Sequence, residues 1–162
     1  MKMEVSDKVA TPQKRPHIKK GFYHARLAEV KPKKNEGKYG KKIVLLFDIL
    51  NDGYKQDGKY LQLAAEAYSE YKQDDGTYRT AVTPNSKITQ IFEALGWKFS
   101  TQGLDTNDFI GAEAEVLVDD YEYEFTDTSN KKSMEKGSTI NDINAWQDEQ
   151  EPRPDAKEET VQ

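Results

Sequence analysis

Six lysines crowd into the stretch Lys31–Lys42, at positions 31, 33, 34, 38, 41 and 42, with Tyr39 among them and Gly37 and Gly40 easing the backbone. A second group, Lys131, Lys132 and Lys136, falls between Thr126 and Ser138. Ammonium groups beside aromatic rings have the chemistry of polyanion binding. The cations attract phosphates and release counterions, and each ring offers a face on which a base stacks, worth about 1–3 kcal/mol. The residues expected to touch phosphate are Arg26, Lys31, Lys33, Lys34, Lys38, Lys41, Lys42, Lys72, Arg79, Lys131 and Lys132. Those expected to stack are Tyr39, Tyr60, Tyr68, Tyr71 and Tyr78. A groove built from lysines reads no base edges, so its affinity is expected to depend weakly on sequence and steeply on salt.

Catalytic chemistry finds less support. Glu113, Glu115, Asp119 and Asp120 have the ligands for a divalent cation and phosphodiester hydrolysis. Yet Glu113, Glu115 and Asp119 alternate as on any solvent-facing strand, and no lysine follows at nuclease spacing. His17 and His24 are not spaced as a metal pair, and Gly37 and Gly40 lack the helix of a phosphate-binding loop. The absence of cysteine removes disulfides, thiolate metal sites and a thiol nucleophile. We expect no catalytic residue, no metal ligand and no cofactor.

A net charge of −5 conceals three regions of different sign. Residues 1–42 carry 13 basic and 4 acidic side chains, residues 43–146 carry 9 and 19, and residues 147–162 carry 2 and 6. A basic segment joined to an acidic body still binds a polyanion locally. Met1–Lys20 is lysine-rich and poor in large apolar side chains, so it is expected to be a mobile arm. Residues 147–162, with Pro152, Pro154 and six acids, are expected to form a disordered acidic tail. One domain spanning 21–146 lies between them. The most apolar run, Ile43–Leu50, includes Asp48 and is strand-sized, and the N-terminus lacks the apolar core of a signal peptide. A soluble cytoplasmic protein that contacts no membrane is the expectation.

The elements that must hold these side chains follow from periodicity. In Pro84–Trp97, Ile88, Ile91, Phe92 and Leu95 form one stripe of period 3.6, predicting a helix over about Pro84–Leu95. Thr83 reads as its N-cap with Pro84 in the first turn, or Asn85 as the alternative, and Gly96 and Trp97 suit a left-handed C-terminal turn. Three β-like runs precede it. Phe22–Val30 alternates with a phase slip near Ala28–Glu29 that predicts a bulge, Lys42–Asn51 is apolar on both faces, and Lys59–Tyr71 turns Leu61, Leu63, Ala65 and Ala67 inward. Residues 72–80 read as a hairpin-like excursion containing Asp75–Gly76. Two further strands are expected at Ala112–Phe125 and Thr139–Trp146, with Thr126–Ser138 a mobile finger between them.

Three curved strands, one helix and two more strands make the order of an OB-fold, an all-β, five-stranded Greek-key barrel with its helix between strands 3 and 4. Such barrels bind single strands or oligosaccharides on strands 2 and 3 and on the loops joining strands 1–2 and 4–5. The lysine-rich stretches 31–42 and 126–138 occupy those two loops. GFYHARLAEV, IVLLFDIL, ITQIFEALGW, NDFIGAEAEVLVDDYEYE and the closing NDINAW together resemble the small single-stranded-DNA-binding proteins of bacteriophages and archaeal viruses. The resemblance spans roughly Lys20–Trp146 and rests on layout. It implies a protein that coats single-stranded DNA during replication, recombination or repair, located in the host cytoplasm if viral. It also makes the tail a recruiter of replication or recombination proteins, although Thr160–Val161–Gln162 departs from the acidic, aromatic tip such tails carry. Oligomers are compatible with this reading. The alternatives are an RNA-binding OB module and a virion or scaffold protein that associates through strand edges.

Overall fold

In a computed structural model, residues 1–6 and 12–147 are described. The strands are β1 (Gly21–Pro32), β2 (Gly40–Ile49), β3 (Lys55–Gln56), β4 (Lys59–Tyr60), β5 (Gln62–Lys72), β6 (Tyr78–Thr80), β7 (Glu113–Thr126) and β8 (Lys132–Ala145). One α-helix, α1 (Lys87–Ala94), and a 3₁₀ turn (Thr106–Phe109) stand between β6 and β7. The protein is thus mostly β with an antiparallel six-stranded sheet in the order β6-β5-β2-β1-β7-β8, and a separate β3–β4 hairpin.

Alternation gives the sheet an inner and an outer face. Tyr23, Ala25 and Leu27 of β1, Leu45, Phe47 and Ile49 of β2, Leu63, Ala65 and Ala67 of β5, and Ala114, Val116 and Val118 of β7 point inward and are buried. Pairing with β2 slips between Leu27 and Glu29, which is the bulge expected from the phase change in β1. The small inner residues Ala25, Ala65, Ala67 and Ala114 let the sheet curve and bring β8 towards the part of β5 that β6 leaves unpaired. There the Thr139 hydroxyl donates to the Ala64 carbonyl at 3.3 Å.

Helix α1 fills the mouth of this curve with Ile88, Ile91, Phe92 and Leu95, as its stripe predicts. Its end follows expectation too. Gly96 takes φ +112°, and the Trp97 and Gly96 amides donate to the Phe92 and Glu93 carbonyls at 2.8 and 3.1 Å, the paired bonds of a Schellman turn. The start lies later than expected. Asn85 has φ 66°, outside helical space, so the helix begins at Lys87 with Ser86 as the N-cap, its hydroxyl accepting from the Thr89 amide. Thr83 instead accepts the Thr89 hydroxyl on its carbonyl at 2.7 Å.

The stretch 126–138 is not a finger. Both strands run on as a ribbon, paired from Tyr121↔Gly137 to Thr126↔Lys132. The turn is short because the Asp127 carboxylate accepts from Ser129 N, Ser129 Oγ and Lys131 N at 2.8, 2.7 and 2.9 Å, while Asn130 adopts φ 64°. The excursion after β5 likewise closes as a sixth strand, with Tyr71↔Arg79 in register. Among the described residues no helix is long and apolar enough to cross a membrane.

Candidate nucleic-acid interface

The residues singled out by type fall into two groups at opposite ends of β2 and a third on the β7–β8 ribbon. At the end where β2 begins, Tyr39, Tyr68 and Tyr71 form a contiguous aromatic cluster. Ring centroids are 6.0 Å apart for Tyr39–Tyr68 and 5.4 Å for Tyr68–Tyr71. Each ring carries a cation: Lys38 over Tyr39 at 5.3 Å, Lys42 over Tyr68 at 4.9 Å and Arg79 over Tyr71 at 5.0 Å. Beside them Lys41 lies 4.4 Å from the Tyr78 ring, whose hydroxyl donates to Glu36. That bond, together with burial and the Glu36 charge, raises the Tyr78 phenol above its ordinary range. Tyr39 is the most open ring of the group at 58% exposure, and it flanks a concavity of about 540 Å³ with Tyr71, Lys72 and Arg79.

Gly40 makes this cluster possible. It sits at φ +146°, and a Cβ there would lie 2.1 Å from the Glu70 carbonyl oxygen. Only glycine lets β2 approach β5 this closely. The approach is braced by the Lys72 amide donating to the Tyr39 carbonyl at 2.9 Å and the Tyr39 amide donating to the Tyr68 hydroxyl at 3.3 Å.

From there the outer face of β1, β2 and β5 runs toward a second group. Register pairs Lys42 with Tyr68, Val44 with Lys31 and Glu66, Leu46 with Ala64, and Asp48 with Arg26 and Gln62. Six residues of β2 separate the first row from the last, about 20 Å of extended strand. At the far end Arg26 stacks over Tyr60 at 5.2 Å and pairs with Asp48 at 3.2 Å, and Lys55 approaches the same ring at 4.9 Å.

Carboxylates trim the positive field along this face. Glu66 holds Lys33 at 2.7 Å and Lys42 at 3.6 Å, and Glu70 lies 3.7 Å from Lys41. Partial burial pushes the Glu66 carboxyl upward, but the bond from Lys33 and the charges of both lysines outweigh it and hold the group below its ordinary value. Lys31, Lys34 and Lys72 stay exposed at this end.

Lys131 and Lys132 belong to a different place. They sit at the tip of the β7–β8 ribbon, where Lys132 pairs with Glu124 at 3.6 Å. Tyr54 and Lys59, to which sequence reasoning assigned no role, line a groove of about 1150 Å³ with Tyr60, Gln62, Asp48, Lys14 and His17. Their sequence signal is the pair of turns Asn51–Gly53 and Asp57–Gly58, which bracket a hairpin loop. The His24 ring stacks on Trp146 at 3.7 Å, and its Nε2 lies 2.7 Å from Glu113. Among the described residues no three His, Asp or Glu side chains gather to hold a metal ion.

No family model matches the chain, and no curated protein does. The functional reading therefore rests on the geometry.

Proposed function

We propose that this chain binds single-stranded DNA along the outer face of β1, β2 and β5, on a barrel of OB type. The observation that carries the reading is the Tyr39–Tyr68–Tyr71 cluster with a cation at each ring, at one end of a 20 Å face that has Tyr60 and Arg26 at the other. Bases need aromatic faces and phosphates need cations alongside, and both are interleaved here. An extended single strand crossing this span seats about four nucleotides, at the lower end of what one OB barrel occupies. Glu36, Glu66 and Glu70 interrupt the lysines, which favours a narrow track for one strand over a broad surface for duplex.

The barrel reading is supported by the order in which strands meet. Going round from β1 through β2 and β5, the part of β5 beyond its pairing with β6 meets β8 through Thr139 and Ala64, and β8 returns through β7 to β1. Helix α1 caps the space between β5 and β8, where Ala65, Ile91 and Ile140 line one cavity. The position of the helix between the strands is what this chain shares with the phage and archaeal-virus single-strand binders that its sequence resembles. On this reading the protein coats strands exposed in replication, recombination or repair. Residues 148–162, the acidic segment proposed to recruit partner proteins, lie outside the described residues.

The test is a titration of fluorescent oligo-dT, oligo-U and duplex of equal length at two salt concentrations. Oligo-dT should bind tightest, and its affinity should fall steeply with salt. Duplex binding as tightly as oligo-dT would overturn the proposal, and oligo-U binding tighter would move it to RNA.

A further inference from the structure

The basic arm is not free of the domain. From Lys14 to Ile18 it lies along the β7–β8 ribbon. Lys14 Nζ meets Glu135 at 2.7 Å, and its ammonium stands 5.7 Å from the Phe125 ring. The Arg15 amide donates to the Tyr123 hydroxyl at 2.8 Å, while its guanidinium lies over the Tyr123 ring at 4.5 Å and the Tyr121 ring at 5.8 Å. The Ser138 amide donates to the Pro16 carbonyl at 3.0 Å, and the Ile18 amide donates to the Ser138 hydroxyl at 2.8 Å. His17 reaches Asp120 at 3.0 Å. Ile18 packs against the core and pins the end of the segment.

The ribbon is shaped to receive it. A Cβ at Gly137 would lie 2.6 Å from the Tyr121 ring, so that ring rests on bare backbone with its phenol end turned to Arg15. Glu135 stands on the ring face directly opposite Tyr123, while Glu122 and Glu124 alternate onto the other face of the ribbon and Asp120 receives His17. This combination favours a cationic segment and repels phosphate. Lys14 and Glu135 hold each other charged, the ammonium raised and the carboxyl lowered by their mutual hydrogen bond.

We propose that the aromatic, acidic face of the β7–β8 ribbon is the seat of the chain's own basic segment Lys14–Ile18, and that single-stranded nucleic acid competes with this seat for the segment. The proposal rests on the single-strand reading. Lys14 and Arg15 cannot pair with phosphates while they are held by Glu135, Tyr121 and Tyr123. The contacts of the Lys14 and Arg15 side chains are exposed and their charges are screened by salt, so these two residues come away while Ile18 holds the end of the segment. A phosphate chain offers the same cations the release of its counterions. The ribbon thereby withholds two cations from phosphate until a strand arrives.

Hydrogen exchange on the full chain, reading the Arg15 and Ser138 amides, tests this with and without oligo-dT and with inorganic polyphosphate. Both amides should be protected in the free protein and lose protection when oligo-dT is added. The variant Glu135→Lys, which repels Lys14 and keeps all three rings, should expose both amides and raise oligo-dT affinity about two- to fivefold at low salt, with no gain at high salt. Unprotected amides in the free wild type would end the proposal, as would an unchanged or lowered affinity in Glu135→Lys. Removing the rings by Tyr121→Leu with Tyr123→Leu distinguishes a seat from a stacking site: raised affinity supports the seat, lowered affinity overturns it. If oligo-dT does not bind at all while polyphosphate still exposes both amides, the seat stands and the single-strand reading falls.

Discussion

The loop joining β1 to β2 and the ribbon joining β7 to β8 are both rich in lysine and tyrosine, yet they have opposite electrostatic characters. In the first, register sets Lys42 opposite Tyr68 and brings Lys38, Lys41 and Arg79 to neighbouring rings, with Glu36, Glu66 and Glu70 as partial counterweights. In the second, Tyr121, Tyr123 and Phe125 alternate with Glu122 and Glu124, and Glu135 faces Tyr123 across the ribbon. There the lysines lie at the tip or against carboxylates, and the ring faces collect cations from elsewhere in the chain. A loop's content of lysine therefore does not determine what it attracts. The cross-strand neighbours of its aromatics do.

The comparison breaks most severely at Gly40. Replacing it with alanine puts a Cβ into the Glu70 carbonyl at a φ that L residues rarely adopt, which should cost about 2–3 kcal/mol. Urea unfolding would register that loss, and oligo-dT affinity should fall with it because the first cluster depends on this approach. Gly137→Ala is expected to be milder, since the neighbour that must move is a tyrosine side chain and not backbone.

Single aromatic substitutions sharpen the contrast. Tyr39→Ala should weaken oligo-dT binding by about tenfold, within the 1–3 kcal/mol of one stacked base, and leave the unfolding midpoint nearly unchanged because the ring is exposed. An equal loss in Tyr123→Ala would make the two ends functionally alike and dissolve the distinction.

Charge neutralisation should separate the ends through salt dependence. Lys38→Gln with Lys42→Gln is expected to flatten the slope of log affinity against log salt by about 1.4, at roughly 0.7 per phosphate contact on a single strand. Lys131→Gln with Lys132→Gln should leave that slope within error.

The smallest effect concerns Glu66. Its folded-state pKa is lowered, so the stability it contributes is present above its ordinary value of 4.5 and is lost as pH falls through the lower folded value. The pair is more than a third exposed, so the contribution should be no more than about 0.5 kcal/mol. Unfolding of wild type and Glu66→Gln should differ by a constant amount between pH 5.5 and pH 7, about 1 to 2.5 pH units above that value, and converge in acid. At neutral pH and low salt the variant should bind oligo-dT slightly tighter, because Lys33 and Lys42 are freed.

Much of the frame was legible in local pattern. The stripe of α1, the Gly96–Trp97 turn, the bulge of β1 and the inward alternation of β5 and β7 all follow from neighbours a few residues apart. The ribbon was misread because Thr126–Ser138 is polar on both faces and offers no alternation, so nothing in its own residues announces a strand. Its extension comes from the pairing of β7 with β8 and the Asp127 turn.

What the chain's own sequence determined is therefore the helix, the central parts of the five long strands and their inner faces, because a period of 2 or 3.6 is written in consecutive side chains. The cation-bearing aromatics were visible as types. Which ring received which cation was decided only in three dimensions, by register and by the curvature that brings β8 to β5. Arg15 and Tyr123 stand 108 residues apart, yet they share a hydrogen bond. No spacing rule along the chain encodes a contact that exists only after the sheet has folded beneath the arm.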